Sequence, residues 1–265
     1  MSKTFPAEEL LIKVIDDLAD FLPYLVLVGG WVPYVYAKFL WENTPNLAVS
    51  TSDIDFGVSN KPFSGKDTVT ARVRLLNYGE RHISMDRMYP FVPVAEIPSA
   101  SLKAEVEFIT DPKVPKKVIE QLIGSAIKIN EIENFHLLLE SPTTATLHKH
   151  TIQIPVPSMF VFHKLLTFVQ RGNKIKFKKD LYYVYYLLRF CPDRQKLIDD
   201  IRLLIKERVQ GKQVVQNLNK YFKSIDSEGP LLVEQENGPD PYIRDLRKDI
   251  FERFESLRVK IKNTQ

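Results

Sequence analysis

Two aspartates separated by one residue are the clearest chemical feature of the sequence. Asp53 and Asp55 alternate with Ile54 and Phe56 within Thr51 to Val58, a pattern that predicts a β-strand. Alternate side chains of a strand share one side, so we expect the two carboxylates about 7 Å apart, close enough to share a hard cation. Alone, such a pair is more typical of turns and strand ends, where aspartates bind nearby backbone groups.

A glycine pair upstream of the aspartates adds a second feature. The apolar run Leu25 to Val28 predicts a short strand that ends at Gly29 and Gly30, and Trp31 to Trp41 predicts a helix. Glycines let the backbone approach a triphosphate closely, and a helix N-terminus favours anionic oxygens. A tight turn with positive φ is the alternative reading, and the nearby aspartates favour the phosphate site.

A third carboxylate is needed if two divalent ions are to hold an attacking hydroxyl and a triphosphate. The predicted strand Leu102 to Thr110 carries two candidates, Glu105 and Glu107, which project to the same side. We select Glu107 because its apolar neighbours Val106 and Phe108 mark the strand interior. Either glutamate also suits an exposed strand face.

Two cations and an acid follow in the second half of the chain. Lys164 and Arg171 are seven residues apart in a predicted helix, and this spacing places them on one helix face, where they would neutralise phosphate charge. They also suit a solvated surface. Asp180 either orients Lys164 through an ion pair or caps a helix that begins near Lys178.

The elements around these residues predict a mixed α/β (α+β) fold: a mixed-sheet domain over residues 1–156 and a helical C-terminal domain over residues 157–265. Asp226 to Asp240, rich in acids, glycine and proline, is expected to be a flexible loop. The other predicted elements are helices at Ala7–Leu22, Asp67–Tyr78 with Ser64 as a cap, Ser158–Arg171, Lys178–Phe190, Gln195–Gln210 and Tyr242–Lys262, and strands at Asn134–Glu140 and His150–Val156.

Composition and apolar segments indicate the cellular compartment in which the protein works. The formal net charge of +4 over 265 residues does not by itself indicate nucleic-acid binding. Cys191 is the only cysteine, which excludes an internal disulfide framework. Met1 to Leu11 lacks an apolar signal region, and Pro23, Gly29, Gly30 and Pro33 interrupt the apolar segment Phe21 to Trp41. We therefore expect a cytoplasmic protein without membrane attachment.

The order of these motifs resembles the DNA polymerase β-like nucleotidyltransferase superfamily, which has a glycine turn, an Asp-x-Asp strand and a later strand with a single acid. Within it, the chain looks closest to the bacterial branch of AbiEii-type toxin nucleotidyltransferases, which adds a helical motif. The resemblance extends from about Val26 to Leu188 and rests on Val28-Gly29-Gly30-Trp31, Thr51-Ser52-Asp53-Ile54-Asp55-Phe56, Val106-Glu107-Phe108, His163-Lys164-Leu165-Leu166, Arg171 and Lys179-Asp180.

This resemblance implies a fold, a reaction and a set of roles. Asp53 and Asp55 would coordinate Mg²⁺ (or Mn²⁺), and Glu107 would complete the site or serve as base. Gly29 and Gly30 would hold the phosphates of an NTP such as ATP or GTP, and Lys164 would contact the triphosphate.

The acceptor implied by the toxin branch is an RNA 3′ end, particularly that of tRNA, and the basic run Arg171 to Lys179 suits an RNA backbone as well as a solvated loop. A small molecule of the aminoglycoside kind and a protein hydroxyl are the alternatives. Glutamate in place of the family's third aspartate, and the generous spacing from Gly30 to Asp53, also suit a weakened, nucleotide-binding module that acts through a partner such as an antitoxin.

Overall fold

The computed structural model describes residues 6–41, 51, 53–84, 90–240 and 242–262. Residues 1–5, which belong to the segment without an apolar signal region, lie outside the described residues. Ser52, which directly precedes the Asp-x-Asp motif, does so too. Contacts between Cα atoms divide the chain into two compact units. One comprises Met1–Leu40 and Val49–Pro155, and the other comprises Trp41–Ala48 and Val156–Gln265.

A mixed sheet forms the centre of the first unit. Within the described residues it has eight strands in the order β3-β4-β5-β2-β1-β8-β7, with β6 also paired to β5. The central pairs β2/β5 and β1/β8 are parallel, whereas β1/β2 is antiparallel. The strands are β1 (Leu25–Val28), β2 (Ile54–Val58), β3 (Gly79–His82), β4 (Phe91–Ile97), β5 (Leu102–Thr110), β6 (Ile129–Glu131), β7 (Thr143–Leu147) and β8 (His150–Ile154).

Strand β5 shows why the acidic side chains face outward. Its residues alternate between buried Ala104, Val106 and Phe108 and partly exposed Glu105 and Glu107. On the buried side the ring of Phe108 stacks on that of Phe56 from β2, with centroids 6.1 Å apart. Burial of these apolar groups fixes the register, which leaves the glutamates on the opposite face. The predicted strand Leu102 to Thr110 is confirmed.

Five α-helices of the first unit lie within its described residues. Helix α1 packs on β4 and β5 through buried Leu11, Val14 and Ile15. Helix α2 follows the glycine pair and continues as a π-helical stretch, Tyr36–Leu40. The helices are α1 (Pro6–Asp17), α2 (Trp31–Val35), α3 (Val69–Leu75), α4 (Lys116–Leu122) and α5 (His136–Leu139).

One strand and one helix cap predicted for the first unit are wrong. The predicted strand at Asn134–Glu140 is the short helix α5, because Asn134 takes a left-handed conformation (φ 63°) and the apolar run after it buries Leu137 and Leu138 from a helical turn. The strand that pairs with β8 is β7 instead. Helix α3 is capped by Thr68, whose hydroxyl accepts from the Ala71 N–H, and not by Ser64.

The second unit is helical in its described residues, as the sequence predicts. Asn217 of α9 donates its side-chain amide to the Leu165 carbonyl of α6, and Phe222 stacks on Phe254 of α11 with centroids 3.7 Å apart. The helices are α6 (Pro157–Thr167), α7 (Lys174–Phe190), α8 (Arg194–Glu207), α9 (Gly211–Tyr221), α10 (Glu228–Asn237) and α11 (Leu246–Lys262).

The expected flexible loop at Asp226–Asp240 is wrong, because it contains helix α10. Gly229 and Pro230 lie in the first turn, where a proline costs no hydrogen bond, and both are buried. A Cβ on Gly229 would lie 2.5 Å from the Tyr221 carbonyl oxygen, so the glycine permits this close packing. The glycines and the proline that indicated a loop lie instead at the two ends of a helix: Gly229 and Pro230 in its first turn and Gly238 at its C-terminal end.

Candidate active site

Asp55 occupies the centre of the candidate site. It pairs with Val28 at the end of β1 on one side and with Glu107 of β5 on the other. Residues directly opposite each other on neighbouring strands are about 5 Å apart and share a face of the sheet. The register therefore brings the glycine turn, one aspartate and the selected glutamate together.

Gly29 makes contact between the turn and this aspartate possible. Its φ is +72°, and a Cβ built on it would lie 1.9 Å from Asp55 Oδ2. A side chain at this position would therefore occupy the space of the carboxylate, in a backbone conformation that other residues rarely adopt. Gly30, which the sequence also selects, is buried and has φ −73°, the conformation with which helix α2 begins.

Asp53 lies immediately before β2 rather than within it. The strand begins at Ile54, so only Asp55 of the two aspartates belongs to the ladder. The Asp53 N–H donates to the Thr51 hydroxyl at 3.4 Å, and both aspartates are partly buried. Asp53 therefore stands at the point where the chain enters the sheet next to Asp55.

The two glutamates of β5 have different partners. Asn130 of β6 donates its amide to Glu107 Oε2 at 3.2 Å. Glu105 is bound by Arg81 of β3, whose Nη2 lies 2.6 Å from Oε2 and whose Nε pairs with Oε1. Alternation along the strand leaves these glutamates equivalent, and their partners in the structure distinguish them.

Arg81 is a residue of this region that the sequence interpretation missed. Its hydrogen bond to Glu105 raises its pKa, and the negative charges of Glu105, Glu107 and Asp53 raise it further, against the opposing effect of burial. The guanidinium thus interacts electrostatically with three of the candidate carboxylates, Asp53, Glu105 and Glu107. The sequence gives little signal for it, because Gly79-Glu80-Arg81-His82 is polar throughout and has no apolar alternation that would predict a strand.

The carboxylates suit a hard divalent cation by their chemistry, and two of them are in register. Among the described residues, however, no group of three or more His, Cys, Asp or Glu side chains is arranged to hold a metal ion. Magnesium commonly takes one or two carboxylates and completes its shell with water and substrate phosphates. The residues present fit such an open site rather than a cage built by the protein alone.

In the helical unit, Lys164 and Arg171 meet at Asp180. Lys164 Nζ lies 2.5 Å from Asp180 Oδ1, and Arg171 Nε lies 2.9 Å from Oδ2. Burial alone would raise the pKa of Asp180, but the charges and hydrogen bonds of the two cations together lower it. We call these three residues the buried ion triad.

Two arguments that the sequence offered for these residues are wrong: the shared helix face of Lys164 and Arg171, and the helix cap at Asp180. Helix α6 ends at Thr167, so Arg171 lies beyond a 3₁₀ turn and does not share a helix face with Lys164. Helix α7 is capped by Asn173, so Asp180 lies inside the helix and is no cap. The side chain of Lys164 is 6% exposed and that of Arg171 is 30% exposed, so only Arg171 keeps appreciable contact with solvent.

Comparison with known proteins gives this arrangement a family. A family model described as nucleotidyltransferase matches residues 9–202, which is most of the chain. The chain belongs to this family. The matched part of the enzyme includes every residue selected from the sequence, from Gly29 to Asp180. As a nucleotidyltransferase, it transfers a nucleoside monophosphate from an NTP.

The other comparisons found only distant similarity to this nucleotidyltransferase. It is similar to the crystal structure of an antigenic nucleotidyltransferase-like protein from Paracoccidioides brasiliensis, with 13% sequence identity, a TM-score of 0.45, and coverage of 80% of this chain and 92% of that one. No curated protein is similar enough in sequence to count as a relative. None of the helices in the described part of the chain has the length and apolar character of a membrane span.

Proposed function

We propose that the enzyme transfers NMP to a hydroxyl acceptor in a reaction that depends on Mg²⁺ or Mn²⁺, with Asp53, Asp55 and Glu107 as the reacting carboxylates. One observation carries this proposal. Asp55 is in register with Glu107 and its carboxylate lies against the turn at Gly29. Carboxylates beside a turn that allows close backbone approach are suited to a metal-bound triphosphate.

A divalent ion bound here would neutralise the charge that develops on the phosphates. Asp53 and Asp55 would hold it through carboxylate oxygens, and Glu107 would either ligate it or accept the proton of the attacking hydroxyl. The hydroxyl oxygen forms a bond to the α-phosphorus, and the bond from that phosphorus to the bridging oxygen breaks to release pyrophosphate. Asn130, which donates to Glu107, orients the glutamate for either role.

In the helical unit, we propose Arg171 rather than Lys164 as the principal cation for phosphate. Lys164 is almost completely buried and engaged by Asp180, whereas Arg171 uses Nε for Asp180 and remains partly exposed. A guanidinium fixed through one nitrogen still presents other N–H groups to a phosphate. Lys164 and Asp180 would then hold Arg171 in place.

An RNA 3′ end, particularly that of tRNA, is our proposed acceptor. The run Arg171 to Lys179 contains five cations and no acid, and Lys174 and Lys176 are exposed. Such a surface attracts a phosphate backbone. We further propose that the enzyme is cytoplasmic and acts as an AbiEii-type toxin, which an antitoxin protein would restrain. A small molecule of the aminoglycoside kind or a protein hydroxyl is the alternative acceptor.

A second candidate function is a nucleotide-binding module that acts through a protein partner and turns over slowly. It is favoured by the longer side chain of Glu107 and by the lack of a complete metal cage among the described residues. Such a module would bind an NTP and leave the acceptor unmodified.

Labelled transfer distinguishes these functions. Each of the four α-labelled NTPs is incubated with the enzyme, Mg²⁺ and total RNA, and the RNA is examined for label. We expect label in RNA, and Asp55→Asn should reduce it by at least about a hundred-fold, since a reacting-centre electrostatic interaction is lost. Asp67→Asn, an exposed aspartate in the same unit, is the matched control and should retain activity.

Parallel reactions with an aminoglycoside and with a total protein extract test the other acceptors. Label only in one of these would transfer the proposal from RNA to that acceptor class. Absence of label everywhere, together with NTP-dependent thermal stabilisation, would favour the binding module. Equal labelling by wild type and Asp55→Asn would refute the assignment of the carboxylates.

A further inference from the structure

We propose that Arg81 is a positioning residue of the transfer reaction: it holds Glu105 aside, so that Glu107 is the glutamate of β5 that serves the reacting centre. The inference rests on the proposed function, because it takes Asp53, Asp55 and Glu107 as the reacting carboxylates. It adds a residue from β3, a strand to which neither the motif nor the family resemblance assigns a role.

The contact between Arg81 and Glu105 has the geometry of a two-pronged ion pair. Nη2 binds Oε2 at 2.6 Å while Nε binds Oε1, so both oxygens of Glu105 are engaged by one guanidinium. A planar guanidinium matches a carboxylate in this way, whereas an ammonium does not. The side chains are 47% and 30% exposed, so the pair adds little to stability.

Without Arg81, Glu105 would compete with Glu107. The two glutamates are separated by one residue of β5 and therefore share a face of the sheet. A released Glu105 would offer a divalent ion a rival oxygen ligand beside the proper one.

Arg81 faces the rest of the acidic cluster as well as Glu105. The charges of Glu107 and Asp53 both contribute to the raised pKa of its guanidinium, which places Arg81 within electrostatic range of these proposed metal ligands. A positive charge there opposes binding of a divalent cation by itself. Its removal should therefore strengthen metal binding while it weakens catalysis, a combination that a merely structural residue does not produce.

The test is Mn²⁺ affinity, measured by electron paramagnetic resonance with an NTP analogue whose α–β bridge is a methylene group, together with kcat. Arg81→Gln should bind Mn²⁺ about five-fold more tightly, the effect of one screened unit charge plus a released carboxylate, and should lose kcat. Adding Glu105→Gln should restore both quantities toward wild type. Arg81→Lys, which keeps the charge without the fork, should be intermediate.

The thermal midpoint of each variant serves as the control for folding and should not change. If Arg81→Gln binds Mn²⁺ like the wild type, or if Glu105→Gln does not reverse its effect, the role of Arg81 is refuted. If the wild type binds no Mn²⁺ beyond the Asp55→Asn level, the proposed function fails as well, and the two failures are thereby distinguished.

Discussion

The side chain of Asp55 connects every part of the candidate site in the first unit. It is in register with Val28 before the turn and with Glu107 on β5, and its carboxylate fills the space that a Cβ on Gly29 would need. The absence of a side chain at Gly29 is therefore required for the position of an acid. This differs from the sequence interpretation, in which Gly29 and Gly30 serve the nucleotide directly.

Gly29→Ala tests this connection. The positive φ of Gly29 should cost about 1 kcal/mol of unfolding free energy, and the new Cβ should displace the Asp55 carboxylate, a flexible group. We expect a small fall in thermal midpoint and loss of NMP transfer. Differential scanning calorimetry and the labelled-NTP assay measure the two effects.

Gly238→Ala is the matched control for Gly29→Ala. Gly238 also has a positive φ, 68°, but within the described part of the chain nothing lies within 4 Å of its added Cβ. Its variant should lose comparable stability and keep its activity. Full activity of Gly29→Ala would show that the turn does not position Asp55.

At this scale the sequence predicts the acids better than their partners. Alternation along β5 places Glu105 and Glu107 on one face, but a period of two treats them alike. Arg81 and Asn130 distinguish them, and both come from strands that are distant in sequence and were not predicted. The sequence offered an ion pair between Lys164 and Asp180 as one of two alternatives, and the structure contains it. The argument that Arg171 shares a helix face with Lys164 is wrong.

At the scale of elements, the buried ion triad joins the end of α6 to the middle of α7. Asp180 is 4% exposed, so its carboxylate depends on Lys164 and Arg171 for compensation. Removing one member of a buried ion group leaves an uncompensated charge and costs several kcal/mol. The packing of these two helices should therefore depend on pH.

Asp180→Asn should destabilise the second unit at pH 7 by roughly 3 kcal/mol. The pKa of Asp180 is lowered on folding, so its stabilisation is fully present above the unfolded pKa of about 4 and is lost as pH falls through the folded pKa. The gap between wild type and variant should thus shrink below pH 4. Urea unfolding followed by circular dichroism measures it.

Asp226→Asn is the control for this pH dependence, because the side chain of Asp226 is 80% exposed and its ion pair with Arg247 is long, at 3.5 Å. It should change stability little at any pH. A difference between wild type and Asp180→Asn that grows toward acid would contradict the sign of the pKa shift.

Elements were predicted well where one periodicity dominates. Strand β5 matches its predicted bounds because apolar and polar residues alternate from Leu102 to Phe108, over most of the strand. The sequence does not predict helix α10, because glycine and proline in its first turn resemble loop composition. In the structure Gly229 allows close approach to Tyr221, and Pro230 is buried in the first turn. Helix α5 was predicted as a strand because a short apolar run suits either structure.

At the scale of the whole molecule, the family match ends inside helix α8 at residue 202, yet the helical unit continues through α11. Buried Leu218, Phe222 and Phe254 belong to the same unit as α6 and α7. We propose that residues 1–156 act as the nucleotidyltransferase domain and residues 157–265 as the helical domain, with part of the latter outside the family pattern.

Ligand-linked stability tests the proposed metal and nucleotide dependence on the full chain. Saturation of a site with NTP and Mg²⁺ at about 100 times its Kd adds about 2.7 kcal/mol to the free energy of unfolding, which corresponds to a shift of roughly 5–10 °C for a chain of this size. We expect NTP and Mg²⁺ together to raise the thermal midpoint by several degrees. NTP with EDTA should raise it far less, because in the proposed site the carboxylates and the phosphates would complete the metal shell jointly. Asp55→Asn should abolish the shift and Asp67→Asn should keep it, whereas an equal shift with and without metal would contradict metal-dependent binding of the nucleotide.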